Sequence, residues 1–412
     1  MKSRPASETK VLLVGYIFPD QLQEKILNQQ IPPIQTHRFG LALLAALCTG
    51  FNDQVEILST APLLDYPQCK LLFAPRARWK IDDRINARMV SYVNIAGIKH
   101  LTRFSATLFH VIGWIIKNRG YDRIIIFHGV QSSSLWAVLS VQFLGPCTII
   151  PFLTDYLGIP QKWESAPLKK MRVLDLYLMK RGLQKVSGVI VMASKLADEL
   201  APGLPKLVVP TIQNTKLSPV PAKSRQPDDR AFTIVYTGGL SEDYGINLLL
   251  AAFEQANNMD WRLLITGWGD LEKIVSDFAA NNPRAQFLGF LKPEELSNLY
   301  NCADVLVNPK LTSTSFATMS FPSKIVEYLG TGKPVISTNL PVYDDCFRKH
   351  LILTQSDSPE ELIRCLNDVS SWNDLQIEAW RVKTLDFVNT ELSPKKQGVR
   401  IRDFSKSLLK QI

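Results

Sequence analysis

The chain holds no C-x-x-C, no H-x-x-x-H and no D-x-D. Six cysteines (48, 69, 147, 302, 346 and 365) are scattered over 412 residues. That spacing argues against a disulfide framework or a zinc site and predicts a reduced, cytosolic chain. Five histidines without helical pairing, and no paired aspartates, leave no protein-held metal to expect. Long apolar runs are also scarce. Ser132 to Thr154 carries no charge, but Gly145-Pro146 and Pro151 interrupt it, short of the ~20 continuous residues of a spanning helix. It predicts a buried helix over Ser133–Leu144 and a buried strand over Cys147–Phe152. The opening "MKSRPASETKVLLVGYIF" has too short an apolar run for a signal peptide and continues directly into a strand pattern.

Acidic residues are in deficit: 47 Lys and Arg stand against 38 Asp and Glu, a formal charge of +9. The excess is local. Arg76, Arg78, Lys80, Arg84, Arg88, Lys99 and Arg103 face only Asp82 and Asp83. Lys162, Lys169, Lys170, Arg172, Lys180, Arg181 and Lys185 face only Glu164 and Asp175. Such clusters suit an anionic membrane surface or phosphates, and equally a solvated face. They lack interleaved aromatics and any nucleic-acid reading motif, so nucleic acid is not an expected partner.

With 46% hydrophobic and 21% charged residues, the chain is ordinary globular material of two-domain length. "KVLLVGYI" reads as a buried parallel strand, "HRFGLALLAALCTG" as a helix, and "QVEIL" as a strand again. The alternation continues through "FSATLFHVIGWIIKNRG", "YDRIIIFHG", the Pro167–Val186 helix, "SGVIVMAS" and "KLVVP". Pro219, Pro221 and Pro227 then mark a polar linker. Alternation resumes with "FTIVYTGG" and runs to the helix "SPEELIRCLNDV". The expected architecture is α/β, with two Rossmann-like domains of parallel sheet whose ligand cleft lies between them. The boundaries follow: an N-terminal domain over 1–213, a linker over 214–231, a C-terminal domain over 232–385, and a helical segment over 386–412 that packs back on the N-terminal domain.

The segment "FPSKIVEYLGTGKPVIST" combines packing with chemistry. Pro322 suits a first helical position, the expected helix runs to Leu329, and Gly330 and Gly332 follow as stops. Ser323 and Lys324 then sit at the positive end of the helix, with Glu327 on the same face one turn on. Such a tip can hold a diphosphate while the carboxylate accepts from a ribose diol; the same spacing also fits a plain surface Lys–Glu pair. "ITGWGDLE" supplies Gly267 and Gly269, but Glu272 stands where a dinucleotide fingerprint needs its third glycine. Gly238-Gly239 permits close backbone approach to a ligand.

Four stretches, "VYTGGLSEDYGINLLLAAF", "LLITGWGD", "FLGFLKPEELSNLYNCADVLVNP" and "SFPSKIVEYLGTGKPVIST", occur in order. From about Ile234 to Leu362 the chain resembles the donor domain of family 4 glycosyltransferases with the GT-B fold, in a branch carrying S-F-P-S-K. The resemblance implies sugar transfer from a nucleotide sugar, UDP- or GDP-linked, with retention of configuration and no protein-bound metal. Glu327 matches the second glutamate of the E-x-x-x-x-x-x-x-E motif, which grips the ribose; the first falls at Met319, beside Ser320. A basic pair of the first motif is replaced by Gly239 and Tyr244. The implied donor-binding residues are Gly238, Gly239, Gly267, Gly289, Phe290, Ser320, Ser323, Lys324 and Glu327. Lys324 and His128 are the catalytic candidates, and Gly15, His128 and Asp155 the acceptor-side ones, although a histidine after a strand also fits plain packing. Further expectations are a glycan or lipid-linked acceptor, a role in polysaccharide biosynthesis, and a cytoplasmic, peripheral location on the inner membrane face. A GT-B sugar-nucleotide epimerase, or a non-catalytic nucleotide-sugar-binding subunit, remains open on this pattern.

Overall fold

A computed structural model describes residues 8–29, 33–154, 166–213, 231–314 and 317–409. The chain divides into two compact units, Met1–Asn214 with Ser393–Ile412, and Thr215–Leu392. The expected linker over 214–231, apart from Ala231, lies outside the described residues.

The N-terminal unit holds β1 (Thr9–Gly15), β2 (Val55–Thr60), β3 (Ala77–Ile81), β4 (Ile85–Val90), β5 (Asp122–His128), β6 (Thr148–Leu153), β7 (Val189–Val191) and β8 (Lys206–Val208). Their order across the sheet is β3-β4-β2-β1-β5-β6-β7-β8. β1 and β5, the central pair, run in parallel register with Val11 beside Ile124 and Leu13 beside Ile126, all fully buried. Sheets covered on both faces need such continuous apolar strands. The departure from a purely parallel sheet is β3, antiparallel to β4. Its alternating pattern was hidden within the first basic cluster, where Arg78 and Lys80 alternate with Ala77 and Trp79 at the sheet edge. Charged side chains at an edge also deter pairing with a second sheet.

The expected helix over 133–144 is shorter. It spans Ser132–Leu139, then yields to a separate turn at Gln142–Leu144. Ser140 ends it, donating its hydroxyl back to the Trp136 carbonyl at 2.7 Å, the competition with helical bonding that makes serine a poor interior residue.

The C-terminal unit holds β9 (Phe232–Gly239), β10 (Trp261–Trp268), β11 (Ala285–Phe287), β12 (Val305–Asn308), β13 (Val335–Ser337) and β14 (Ile352–Leu353). Their order is β11-β10-β9-β12-β13-β14 and every pairing is parallel. Phe232, Ile234 and Tyr236, alternate residues of β9, enter one core cluster. Leu249 and Phe253 of the Ile246–Ala256 helix and Leu362 and Leu366 of the Pro359–Ser370 helix complete it.

The boundary expected between 385 and 386 is corrected to Leu392/Ser393. The Asp374–Thr390 helix runs unbroken through the expected point, its start fixed by a capping box between Asn373 and Gln376. Beyond it the Pro394–Leu409 helix belongs to the N-terminal unit and packs on the Ile34–Gly50 helix. Gly50 and Gly398 meet there, and a Cβ on Gly398 would lie 2.1 Å from the Ala46 carbonyl oxygen. Only a residue without a side chain lets the two backbones approach that far.

Candidate functional site

In the C-terminal unit the site grows from the carboxyl ends of β9 and β10. Gly238 lies beside Gly267 in register, at φ +138° and +149° respectively. A Cβ at Gly267 would fall 1.7 Å from the Gly238 carbonyl oxygen, so glycine is required there on both counts. A Cβ at Gly238 would fall 1.7 Å from the Lys324 Nζ. The glycines therefore clear the space that the lysine fills.

The helix carrying Lys324 begins two residues later than expected. It spans Lys324–Gly330, and Pro322 precedes it rather than opening it. The entry is a tight turn, with the Ile325 and Val326 N–H groups donating to the Pro322 and Ser323 carbonyls at 3.0 and 3.2 Å. Those amides are therefore used within the chain. Ser323 is exposed and its hydroxyl does not cap the helix. Ile325, Val326, Tyr328 and Leu329 are buried, which leaves Lys324 and Glu327 on the half-buried face.

Lys324 and Glu327 do more than pair across one turn. The Lys324 ammonium lies 4.5 Å from the centre of the Tyr236 ring and 5.5 Å from that of Tyr244. Its Nζ is 3.5 Å from the Tyr236 hydroxyl. Burial among these rings pushes Lys324 down to about 7; Glu327 opposes the fall and Lys310 adds to it. Aromatic faces attract cations, so Tyr236 and Tyr244 together hold the lysine. Glu327 accepts from the Tyr300 hydroxyl at 3.4 Å.

Beneath them the polar network is closed. Tyr328 accepts from the Thr237 N–H at 2.9 Å and donates to its carbonyl at 3.2 Å. Thr237 Oγ1 lies 3.3 Å from the Tyr300 hydroxyl, and Tyr236 donates to the Gly239 carbonyl at 2.6 Å. Satisfied networks of this kind hold a helix and strand in one arrangement.

The other expected donor residues divide. Gly289 (φ +63°) accepts at its carbonyl from the Gly267 N–H at 2.9 Å and from Thr266 Oγ1 at 2.6 Å. Phe290 beside it is 60% exposed. Gly239 backs Tyr244, 2.8 Å from where its Cβ would stand. Ser320 takes part through its carbonyl, which accepts from Lys310 Nζ at 3.3 Å.

Lys310 is the residue that sequence reasoning missed. It is 5% exposed and follows β12 after Pro309. A lysine at a strand end in "VNPKLTS" was the available signal. Tyr236, Tyr300 and Tyr328 were missed because a tyrosine in a strand or helix interior reads as apolar filling.

In the N-terminal unit, Gly15 and His128 come together at the ends of β1 and β5, where a Cβ on Gly15 would lie 3.2 Å from the His128 carbonyl oxygen. His128 is 2% exposed, and its Nε2 donates to the Thr36 carbonyl at 2.7 Å. Burial pushes it down to about 4, against the bond to Thr36 and with His37 adding to the fall. It is a neutral imidazole packed against Phe39, with ring centres 5.0 Å apart, and its proton is already committed. Asp155 lies outside the described residues.

The basic clusters separate by burial. Lys99 and Arg103 turn inward, Lys99 pairing with Asp65. Arg78, Lys80 and Arg88 remain on the β3–β4 edge. With Trp79, Phe109 and Lys117 they line a cavity of about 730 Å³. On the adjoining Ile98–Lys117 helix, Leu101, Phe109 and Ile116 are exposed. Among the described residues no helix is long and apolar enough to cross a membrane, and no group of His, Cys, Asp and Glu is placed to hold a metal ion.

Two Rossmann-like α/β units of this build define the GT-B fold. A sucrose-phosphate synthase from Thermosynechococcus elongatus superposes on 98% of this chain and 100% of its own, with a TM-score of 0.64 at 15% identity. Anabaena Alr3699/HepE, solved in complex with UDP, covers 97% of this chain and 100% of its own, with a TM-score of 0.59 at 15% identity.

More particularly, residues 231–371 match the family described as "Glycosyl transferases group 1". A chitobiosyldiphosphodolichol beta-mannosyltransferase from Kluyveromyces lactis is 23% identical over 262 residues, 58% of this chain and 56% of that protein. The chain spans from about a third to just over half of the length of the curated relatives it matches.

Proposed function

We propose that this protein is a glycosyltransferase that moves a sugar from a nucleotide-sugar donor to a glycan or lipid-linked acceptor, with retention of configuration. The observation that carries this reading is the placement of Lys324 between Tyr236 and Tyr244 against Gly238, with Glu327 one helical turn away. It lies inside the segment that matches the group 1 glycosyltransferases. A cation in a partly dry pocket suits the diphosphate of a nucleotide sugar. A second ammonium, that of Lys310, disfavours the charge of the first until an anion enters. Glu327 accepts from the ribose diol, and exposed Phe290 offers a face to the base. Cationic support from two lysines stands where other donor sites use a metal. UDP or GDP is the expected nucleotide. The relative's lipid-diphosphate substrate, and the UDP in Anabaena Alr3699/HepE, are the precedents for the two substrate classes.

Thermal-shift measurements against a panel of UDP- and GDP-sugars test this directly. A true donor at a hundred times its dissociation constant stabilises the protein by about 2.7 kcal/mol. If none of the panel shifts the melting temperature, the reading fails. Slow hydrolysis of that donor without acceptor distinguishes an enzyme from a binding subunit, which shows none.

The site of action we infer is an anionic membrane surface on the cytoplasmic side. Arg78, Lys80 and Arg88 line one cavity with exposed Phe109, and Leu101 and Ile116 of the same helix are also exposed. Each basic residue near such a surface contributes about 1 kcal/mol, and salt screens it. The protein is expected to pellet with vesicles containing phosphatidylglycerol at low salt and to leave them at high salt. Indifference to lipid charge returns the cluster to an ordinary solvated face.

A further inference from the structure

The N-terminal unit contains a polar site of its own, built from none of the residues assigned to the donor. A cavity of about 480 Å³ opens beyond the carboxyl ends of β2 and β5, between the Ile98–Lys117 helix and the Ala166–Leu183 helix. Lys99, Arg103 and Arg172 line it against Asp65 and Asp175. Arg103 is 1% exposed. Its guanidinium lies over the Tyr92 ring, 4.3 Å from the centre, and Nη1 donates to Gln131. Nε and Nη2 are buried and make no well-formed hydrogen bond, with the Tyr92 hydroxyl alongside the guanidinium. That pair of nitrogens is the edge of the guanidinium fork that grips an oxyanion with two parallel bonds. A buried guanidinium with three of its five N–H donors poorly met is costly unless a ligand completes it.

A second cavity of about 450 Å³ shares His100, Met171 and Asp175 with the first. Its walls are mostly apolar, with Phe104, Trp136, Leu174 and Leu178. Ser133 lines it too, and its buried hydroxyl makes no hydrogen bond. Leu174 and Leu178 are exposed, so the trough is open to solvent. An anion pocket continuous with an apolar trough fits an amphiphile. A phosphate keeps an oxygen free for a further donor when the Arg103 fork holds two, whereas in a carboxylate both oxygens are already engaged by the fork.

We propose that these two cavities bind a lipid of one hydrocarbon chain ending in a phosphate or diphosphate, with the phosphate on Arg103 and the hydrocarbon chain along Trp136, Leu174 and Leu178. This deepens the reading above, on which it rests, by making the acceptor a lipid phosphate and naming its site.

Farnesyl diphosphate is the probe, with farnesol, inorganic diphosphate and phosphatidylglycerol vesicles as comparisons, followed by calorimetry on the full chain. Farnesyl diphosphate is expected to bind at least tenfold more tightly than farnesol or inorganic diphosphate. Arg103→Lys, which keeps the charge and removes the fork, is expected to weaken it at least tenfold. Leu174→Glu, at an exposed position that folding tolerates, is expected to weaken it at least fivefold, and both variants are expected to bind nucleotide sugar normally. Equal affinity for farnesol, or unchanged affinity in both variants, overturns the proposal. So does competition by the vesicles at matched phosphate, which makes the site a membrane anchor. Loss of the probe in Lys324→Ala instead places the diphosphate in the donor site and also overturns it. Failure of nucleotide sugars to bind, with the lipid result intact, counts against the transferase reading alone.

Discussion

Lys324→Ala is expected to lower kcat by about a hundredfold or more, with a much smaller change in KM. Charge builds on the leaving diphosphate as the bond to the donor sugar breaks, so a fixed cation there stabilises the transition state more than the bound substrate. Loss of one preorganised group of this kind costs about 10²–10³ in rate. The segment Phe232–Ala256 supplies no replacement, because it contains no lysine or arginine. Folding is not expected to suffer, since alanine is the best helix former and Lys324 is only half-buried; an unchanged melting temperature checks this.

The pH dependence sharpens the test. With its value near 7 in the free protein, Lys324 is cationic below that pH and loses its charge above it. kcat/KM, which reports the free enzyme, is therefore expected to fall as pH rises through about 7. A bound diphosphate favours the charged lysine, so the corresponding fall in kcat moves to higher pH. Lys324→Arg stays charged throughout and is expected to abolish the alkaline fall while recovering only part of the rate, because a planar fork is not a point charge. Normal turnover by Lys324→Ala would refute the assignment.

Glu327→Ala carries the second large effect. Its carboxylate is half-buried, accepts from Tyr300 and faces the same side as Lys324. Losing a charge-assisted hydrogen bond to the ribose costs about 1.5–3 kcal/mol, roughly ten- to a hundredfold in nucleotide affinity. The free nucleoside diphosphate and the nucleotide sugar should weaken alike, because both carry the ribose. Glu327→Gln keeps an acceptor and should lose less. Calorimetric titration of the folded variants decides it: equal affinity for nucleotide in Glu327→Ala and the parent protein rules out the ribose contact.

Much of this fold was legible along the chain. Strands buried on both faces must be apolar throughout, so "KVLLVGYI", "YDRIIIFHG" and "FTIVYTGG" announced themselves as β1, β5 and β9. The Lys324–Glu327 spacing was equally legible, since residues three apart share a helix face. The β3–β4 hairpin was not, because an edge strand carries charge on one side and reads as a basic cluster. Nor was the helix start: Pro322 suits a first turn by propensity, but the chain enters through a tighter turn and the helix begins at Lys324.

Composition, periodicity and motif order were local properties, and they sufficed for two α/β units, for the absence of paired metal ligands from the primary structure, and for Glu327 and Lys324 as the residues to watch. Distances between segments were another matter. Tyr236 and Tyr244 close on Lys324 from eighty or more positions away, and Lys310 arrives from the segment after β12. Arg103 looked like one more surface cation and is instead enclosed, with Nε and Nη2 lacking a well-formed hydrogen bond. A side chain's charge is written in its identity, but its solvation and its partners depend on what folding brings alongside, and those set its pKa and its chemistry.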